Sequence, residues 1–543
     1  MHKPFAITLD PGSSLANKTG SWRTQRPVYV HRLPPCNATC PAGEDIQGWL
    51  FHAEGGDYET AWRHLTRDNP FPAVMGRVCY HSCEGACNRG QLDAAVGINS
   101  VERFLGDEAL KRGWRFEPPE AESGRHVLVV GAGPSGLSAA YHLRRLGHRV
   151  TVCDAGPAAG GMMRFGIPKY RLPRDVLDAE VQRLLDLGVV LKLNTRVDDI
   201  LATLAQGYDA AFLAVGAHIA KRAFIPAKDG ARILDAVNVL RSMEGAEPPQ
   251  LGRRVVVYGG GNTAIDVART AKRLGATEAI VVYRRTREKM PAHDFEVQEA
   301  LEEGVQVKWL STIQQAGGDG GAVTIEKMTL DDKGNPQPTG EFETLQADSV
   351  VLALGQDVDL SLLDKVPGLK VDGGVVAVDP ATMMTAHPGL FAGGDMVPAD
   401  RNVTVAVGHG KKAARHIDAW LRGAALQAAP KPPVASFDRL NPWYYSDAPK
   451  TLRPQLDLAR RTSSFDEVQG GLTADNALFE ARRCLSCGNC FECDNCYGVC
   501  PDNAVAKLGP GQGFAFKLDY CKGCGLCAAE CPCGAIDMVV EEA

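Results

Sequence analysis

The stretch that most constrains this chain runs from His126 to Asp154, HVLVVGAGPSGLSAAYHLRRLGHRVTVCD. An apolar strand over Val127 to Val130 runs directly into Gly131, Gly133 and Gly136, a helix follows through Leu146, and a second strand over Val150 to Val152 leads to Asp154. Gly131 permits a tight turn, Gly133 lets the backbone approach a pyrophosphate, and Gly136 allows the helix to pack closely on the strand. The phosphates then meet the helix N-terminus, with Pro134 and Ser135 in its first turn. Asp154 stands about 20 residues on, where a carboxylate accepts ribose hydroxyls. Strand, glycines, helix and acid together predict a dinucleotide-binding unit.

Downstream, AAGGMMRFGIPKYRLP (Ala158 to Pro173) places Gly160 and Gly161 close behind that acid, where backbone passes against a cofactor, with Arg164 and Gly166 counted in the same contact segment. Phe212 to Ala217 reads as a buried strand ending in a glycine turn. A second fingerprint follows, VVVYGGGNTAIDVARTAKRLGATEAIVVYRR, with Gly259, Gly261 and Ala264 at the three key positions and Asn262 and Thr263 between them. Its second strand ends on Tyr283, Arg284, Arg285 and then Arg287 instead of an acid. Guanidinium groups there favour a ribose 2′-phosphate; the alternative is a solvated basic turn. Asp348 to Gln356 reads as the strand returning to the first unit. Gly394-Asp395 and a helix starting near Thr404 suit the ribityl chain, the phosphate and the flavin ring. The first fingerprint is therefore expected to hold FAD and the second NADPH, with NADH as a second donor. Lys411 and Lys412 are expected on the exposed face of the last helix.

Seventeen cysteines in 543 residues lack a secretory leader ahead of them and are expected to bind metal. Cys490, Cys493, Cys496 and Cys500 follow the spacing C-x2-C-x2-C-x3-C-P, and Cys521, Cys524, Cys527 and Cys531 repeat it. This is the two-cluster ferredoxin pattern, in which the fourth cysteine of each run ligates the other cluster, and two complete copies with the trailing proline disfavour zinc. Near the other end, Cys36, Cys40, Cys79, Cys83 and Cys87 lie on helix-and-loop sequence that suits further iron–sulfur ligation. The formal net charge of -6, with both signs interspersed, gives no sign of a nucleic-acid partner, and no apolar run is long enough to span a membrane. A cytoplasmic protein is expected.

In this order, the cysteine-rich head, the first fingerprint, GGMMRFGIPKYRLP, GGGNTAID, VVYRRTREKMPA and LFAGGDM closely resemble the small subunit of NADPH-dependent glutamate synthase. They also resemble its relatives, the N-terminal part of dihydropyrimidine dehydrogenase and the flavoprotein of electron-bifurcating transhydrogenase, over roughly residues 30 to 425. The resemblance implies hydride transfer from NADPH to FAD and single-electron transfer through clusters to a partner. With the fused tail, the chain looks like the flavoproteins that serve 2-oxoacid oxidoreductases or sirohaem sulfite reductases. Resemblance to the dihydropyrimidine dehydrogenase head also implies a 4Fe-4S cluster on Cys40, Cys79 and Cys83, with Glu102 as a fourth ligand. Cys36 and Cys87 are then half a site, because the family's opening EAxRCLxC helix is missing from this head. The missing piece stands at the other end as FEARRCLSC, which supplies Cys484 and Cys487. We expect the chain's ends to meet and complete a cluster on Cys36, Cys87, Cys484 and Cys487, giving four 4Fe-4S clusters; the alternative is three clusters and spare thiols.

The expected fold class is α/β. Residues 1–30 form an arm, 31–120 a helical iron–sulfur domain, 121–250 and 348–425 the FAD domain, 251–347 the nested NADPH domain, 426–475 a partly ordered linker, and 476–543 the CxxC segment with a ferredoxin-like α+β domain. Flavin must stand between a two-electron and a one-electron carrier. Cys153, the sole cysteine of the nucleotide domains, argues against a disulfide reductase. The expected partner is a ferredoxin or a larger redox subunit, in a hetero-oligomer or a homodimer. Two other readings are a plain glutamate synthase small subunit and a non-enzymatic iron–sulfur scaffold, which would bind no flavin.

Overall fold

Apolar strands that alternate with amphipathic helices and end in glycine turns can bury both faces only in parallel sheets, and the computed structural model contains two. It describes residues 18–221, 225–227, 231–317, 321–426 and 430–541, so most of the expected arm lies outside the described residues. What is described of it is no free arm. Strand β1 (Gln25–Tyr29) pairs antiparallel with the chain's last strand (Ile536–Val540), from Gln25 opposite Val540 to Tyr29 opposite Ile536. Arg23 holds Glu541 through two hydrogen bonds, and Arg32 reaches Gly534 O and Asp537. The head then runs through the helices Ile46–Glu54 and Tyr58–Leu65, capped by the side chains of Asp45 and Asp57, to α1 (Ile98–Arg112). Trp49, Trp62, Leu65, Val101 and Leu105 form its interior.

The first sheet is built from β2 (His126–Val130), β3 (Arg149–Cys153), β4 (Val190–Lys192) and β5 (Ala210–Leu213), with α2 (Pro134–Arg145) crossing between β2 and β3. The second sheet takes β6 (Ile233–Asp235), β7 (Arg254–Tyr258), β8 (Glu278–Val282) and β9 (Gln306–Lys308), with α3 (Asn262–Arg273) after β7. An antiparallel meander follows, β10 (Ser311–Ala316), β11 (Ala322–Leu330) and β12 (Pro336–Gln346). After it, β13 (Ser349–Leu352) lies between β7 and β6, so the second sheet reads β9-β8-β7-β13-β6, all parallel. The chain returns to the first sheet only at β14 (Leu390–Ala392), giving the order β14-β5-β2-β3-β4, and continues into α4 (Val403–Leu421).

Two expected boundaries move as a result. Ser349 to Leu352 does not return to the FAD domain, and the NADPH domain begins with β6, before residue 251. A short buried apolar strand looks the same whichever parallel sheet it joins, so its sequence cannot assign it.

The expected linker is a strap packed across three domains. Leu33 bridges Val434, Arg453 Nη1 donates to Gly76 O (2.9 Å), Val468 N donates to Tyr170 O (2.9 Å), and Arg461 reaches Glu302 and Glu303 in the second nucleotide domain. A proline-rich chain without periodicity can still order when other domains satisfy its backbone. Lys411 is also not on an exposed face: it is buried, pairs with Asp68 (2.6 Å) and donates to Ala42 O and Gly43 O, tying α4 to the head. Lys412 does lie at the surface, its amine on Pro380 O. The tail adds the hairpin β15 (Val505–Gly509) and β16 (Gly513–Phe516) before the last strand, β17 (Ile536–Val540). Among the described residues no helix is long and apolar enough to cross a membrane.

Candidate cofactor sites

At the C-terminal edge of the first sheet the turn after β2 opens into a cavity of about 570 Å³, lined by Gly131, Gly133, Pro134, Ser135, Asp154, Gly161, Gly394 and Asp395. The glycines differ in what they do. Gly131 has φ +107° and a Cβ on it would lie 2.2 Å from Ala214 O, while a Cβ on Gly136 would meet Gly131 O at 1.9 Å. A Cβ on Gly133 would meet only Gly161 Cα, at 3.8 Å, so that position is left open on the cavity side. Ser135 Oγ is buried without a partner and faces this cavity, an unfilled bond that a phosphate oxygen would satisfy. Asp154 accepts from Ala132 N (2.6 Å) and Gly156 N (2.7 Å), which fixes its carboxylate at the rim. Burial holds the Asp395 carboxyl above its ordinary range. These donors and the open backbone fit FAD.

Three expected contacts stand behind the wall. Arg164 donates to Ala159 O and pairs with Asp178, bracing the Gly160–Gly161 loop; Gly166 packs on Met162; and the Thr404 hydroxyl donates to Cys79 Sγ (3.2 Å). The cavity also takes in Thr195 to Val197, Ala214 to His218, Arg241 and Glu244. Arg241 and Glu244 carry no motif, and only the fold brings them there.

The second fingerprint repeats the geometry. Gly259 has φ +151° with a Cβ position 2.2 Å from Ala353 O, whereas a Cβ on Gly261 would meet nothing within 4 Å. Asn262 begins α3; its side chain donates to Tyr80 OH (2.5 Å) and accepts from His293 N (3.1 Å). Thr263 and Ala264 follow in the same turn. Beyond β8, Arg284 is exposed, and Arg285 carries a buried, unpartnered Nε. That spare donor fits a phosphate better than a turn whose needs are already met. Tyr80, which stacks on His293 at 3.6 Å, was not legible as a neighbour of this site because it comes from the head.

The cysteines gather in four groups. Cys36, Cys87, Cys484 and Cys487 line one small apolar cavity with Leu50, Val96 and Ile98, so thiols from both ends of the chain face one space. Cys40, Cys79 and Cys83 form a second group: burial first, and then the neighbouring Cys79, Glu84, Cys40 and Glu102, push the Cys83 thiol up. Glu102 is buried, accepts from Asn69 Nδ2 (2.8 Å), and its burial pushes the carboxyl far above its usual range. In the tail, Cys531 acts on Cys490, Cys493 and Cys496, while Cys500 shares a cavity with Cys521, Cys524 and Cys527. This is the crossed pairing that the spacing predicts. Burial pushes Cys79 up to about 12, Cys487 to about 11 and Cys527 to about 12. Buried thiols that repel one another's charge are what cationic iron would relieve. Among the described residues no group of three such side chains is placed to hold a single metal ion; the first group and the group of Cys500, Cys521, Cys524 and Cys527 each line a small cavity. Cys153 stands apart in the first nucleotide domain, whereas Cys533, expected to be a non-ligand, has its Sγ 3.7 Å from Cys531 Sγ.

Thr404 connects the flavin helix to Cys79, the first and second thiol groups border one apolar core, and Tyr445, which donates to Leu485 O, lies between the first group and the tail near Cys533, Cys487, Cys484 and Cys493. Residues 125–410 match the family described as pyridine nucleotide-disulphide oxidoreductase, and residues 19–114 match dihydropyrimidine dehydrogenase domain II, 4Fe-4S cluster. The NADP(+)-dependent formate dehydrogenase subunit beta of Moorella thermoacetica is 38% identical, over 83% of this chain and 70% of that protein. The NADPH-Fe(3+) oxidoreductase subunit beta of Geobacter sulfurreducens is 32% identical (85% and 77%), and the glutamate synthase [NADPH] small chain of Azospirillum brasilense is 36% identical (72% and 87%). With two glycine fingerprints, a nucleotide cavity and thiol groups in this arrangement, the chain belongs to the pyridine nucleotide-disulphide oxidoreductase family, as an NADPH-dependent FAD and iron–sulfur oxidoreductase with a 4Fe-4S head domain.

Proposed function

We propose that this chain is the electron-transfer subunit of a larger cytoplasmic redox complex, holding FAD at Gly131 to Gly136, NADPH at Gly259 to Ala264 with Arg284 and Arg285, and four 4Fe-4S clusters. Bound there, the cofactors would supply the conversion between one hydride and two single electrons. The chain's own contacts support the order we propose. Thr404 joins the flavin cavity to the Cys40, Cys79 and Cys83 group, with Glu102 as the neighbouring oxygen donor. The group of Cys36, Cys87, Cys484 and Cys487 comes next, and the two crossed tail groups follow. The observation that carries the proposal is the cavity where thiols from both chain ends face each other. It supports the reading that the tail completes the head's half-site, which would join the tail to the flavoprotein.

The partner we favour is a catalytic redox subunit, because the two relatives that align over 83% and 85% of this chain are named as beta subunits. A glutamate synthase small chain is the second reading, supported by a relative that covers 72% of the chain. Co-purification from the native source separates the two.

Iron analysis of anaerobically purified protein tests the cluster count, with about sixteen irons per FAD expected for four 4Fe-4S clusters. A Cys484→Ser/Cys487→Ser variant should lose about four of them and keep the tail signals. A variant that retains all its iron would remove the bridging site, and about twelve irons in the parent protein would support three clusters.

A further inference from the structure

Thr404 lies in the first turn of α4, after the Asn402 cap, and two residues before Ala406, which lines the flavin cavity. Its side chain is 5% exposed. Among the described residues its hydroxyl's hydrogen bond ends on Cys79 Sγ, 3.2 Å away. The same sulfur receives His81 N at 3.3 Å, from a residue held at φ +40°. A helix terminus built for the flavin thus spends its one buried hydroxyl on a sulfur of the head.

A hydrogen bond to a thiolate ligand stabilises the more electron-rich state of a cluster, and hydrogen bonds to the sulfurs are among the terms that set its potential. Uptake of one electron adds one negative charge to the cluster and its sulfurs, without making or breaking a bond to the protein. We propose that Thr404 is a positioning residue that raises the reduction potential of the cluster nearest the flavin cavity by donating its hydroxyl to Cys79. The proposal rests on the reading of Cys79 as a cluster ligand. It moves Thr404 from the flavin contacts to the cluster, and it makes the step out of the flavin more favourable than it would be without that bond. The bond is made in both redox states and only its strengthening on reduction counts, so its loss should lower the reduced-to-oxidised ratio at fixed potential by up to roughly tenfold, which is about 59 mV for one electron.

The test uses the full chain, purified anaerobically, with iron and FAD measured and each cluster titrated by EPR-monitored potentiometry. Thr404→Val keeps the shape and removes the donor. The expected result is full iron, full FAD and one cluster shifted by up to roughly tenfold towards the oxidised form, with Thr404→Ser restoring the parent value. An unchanged potential in Thr404→Val, or a Ser variant that behaves like Val, would overturn the proposal. Should the Val variant fail to load, Thr404→Ala replaces it; loss of iron from both, with Ser intact, would make Thr404 a structural residue and sink the tuning role. Cys79→Ser that keeps every iron would be a different failure, that of the ligand reading itself.

Discussion

The two nucleotide units are near copies in backbone and opposites at one edge. Each has a five-stranded parallel sheet, a first glycine at positive φ pressed against a carbonyl, and a third-position glycine, Gly133 or Gly261, with open space where its Cβ would stand. They part company after the second strand. Asp154 is fixed by two backbone amides beside the first cavity, whereas the second strand leads to Tyr283 and the exposed Arg284 and Arg285 with its unpartnered Nε. On the proposed reading, the shared part would hold a dinucleotide and the edge would choose which one. Their surroundings differ too. The first unit's cavity is tied to the head through α4, and in the second unit Asn262 donates to Tyr80 of the head.

The largest effect should come from breaking the first unit. Gly133→Val introduces a side chain into open cavity without a protein clash, so the fold should stand and FAD should be lost, together with all NADPH-dependent dye reduction. Flavin absorbance of the purified variant checks this, and a normal flavin content would refute the assignment. Gly261→Val should sharpen the contrast by keeping the flavin. Its reduction by NADPH should vanish while dithionite still bleaches it; slowing of both would mean that the two units are not separable.

A smaller effect is expected at the distinguishing edge. Arg284→Ala with Arg285→Ala should raise the NADPH Michaelis constant by roughly 10- to 100-fold per lost charged hydrogen bond and leave that of NADH nearly unchanged. Equal effects on both donors would reduce the pair to a solvated turn. The smallest effect belongs to the strap. Arg461 is buried against Glu303, which Arg269 and Arg273 also hold. Burial alone would raise the Glu303 carboxyl, but hydrogen bonds from Arg273 and Arg269 bring it down to about 2. Because two guanidiniums remain, Arg461→Ala should cost only about 1–2 kcal/mol, visible as faster amide exchange over Asp294–Glu302 and not in the first sheet. Uniform exchange across both units would deny the strap a local role.

Motif spacing carried the local parts. Gly131 to Asp154, Gly259 to Ala264 and the paired cysteine runs of the tail each lie within a few tens of residues, so glycine torsion, helix period and ligand spacing determine them from the sequence alone. Which strand joins which sheet was not among them. Ser349 to Leu352 and Ile233 to Asp235 are short apolar runs that any buried parallel sheet would accept, and neighbouring strands decided their place. The strap could not be read for a related reason, since its order comes from carbonyls and carboxylates of other domains. The meeting of Cys36 and Cys87 with Cys484 and Cys487 stands between the two cases: an incomplete motif at each end announced it in the sequence. Only the tertiary structure, through β1 on β17 and the packed strap, could bring ends so far apart in the chain to one cavity. Spacing fixes what is close along the chain; contacts at long range are decided by the packing that buries them.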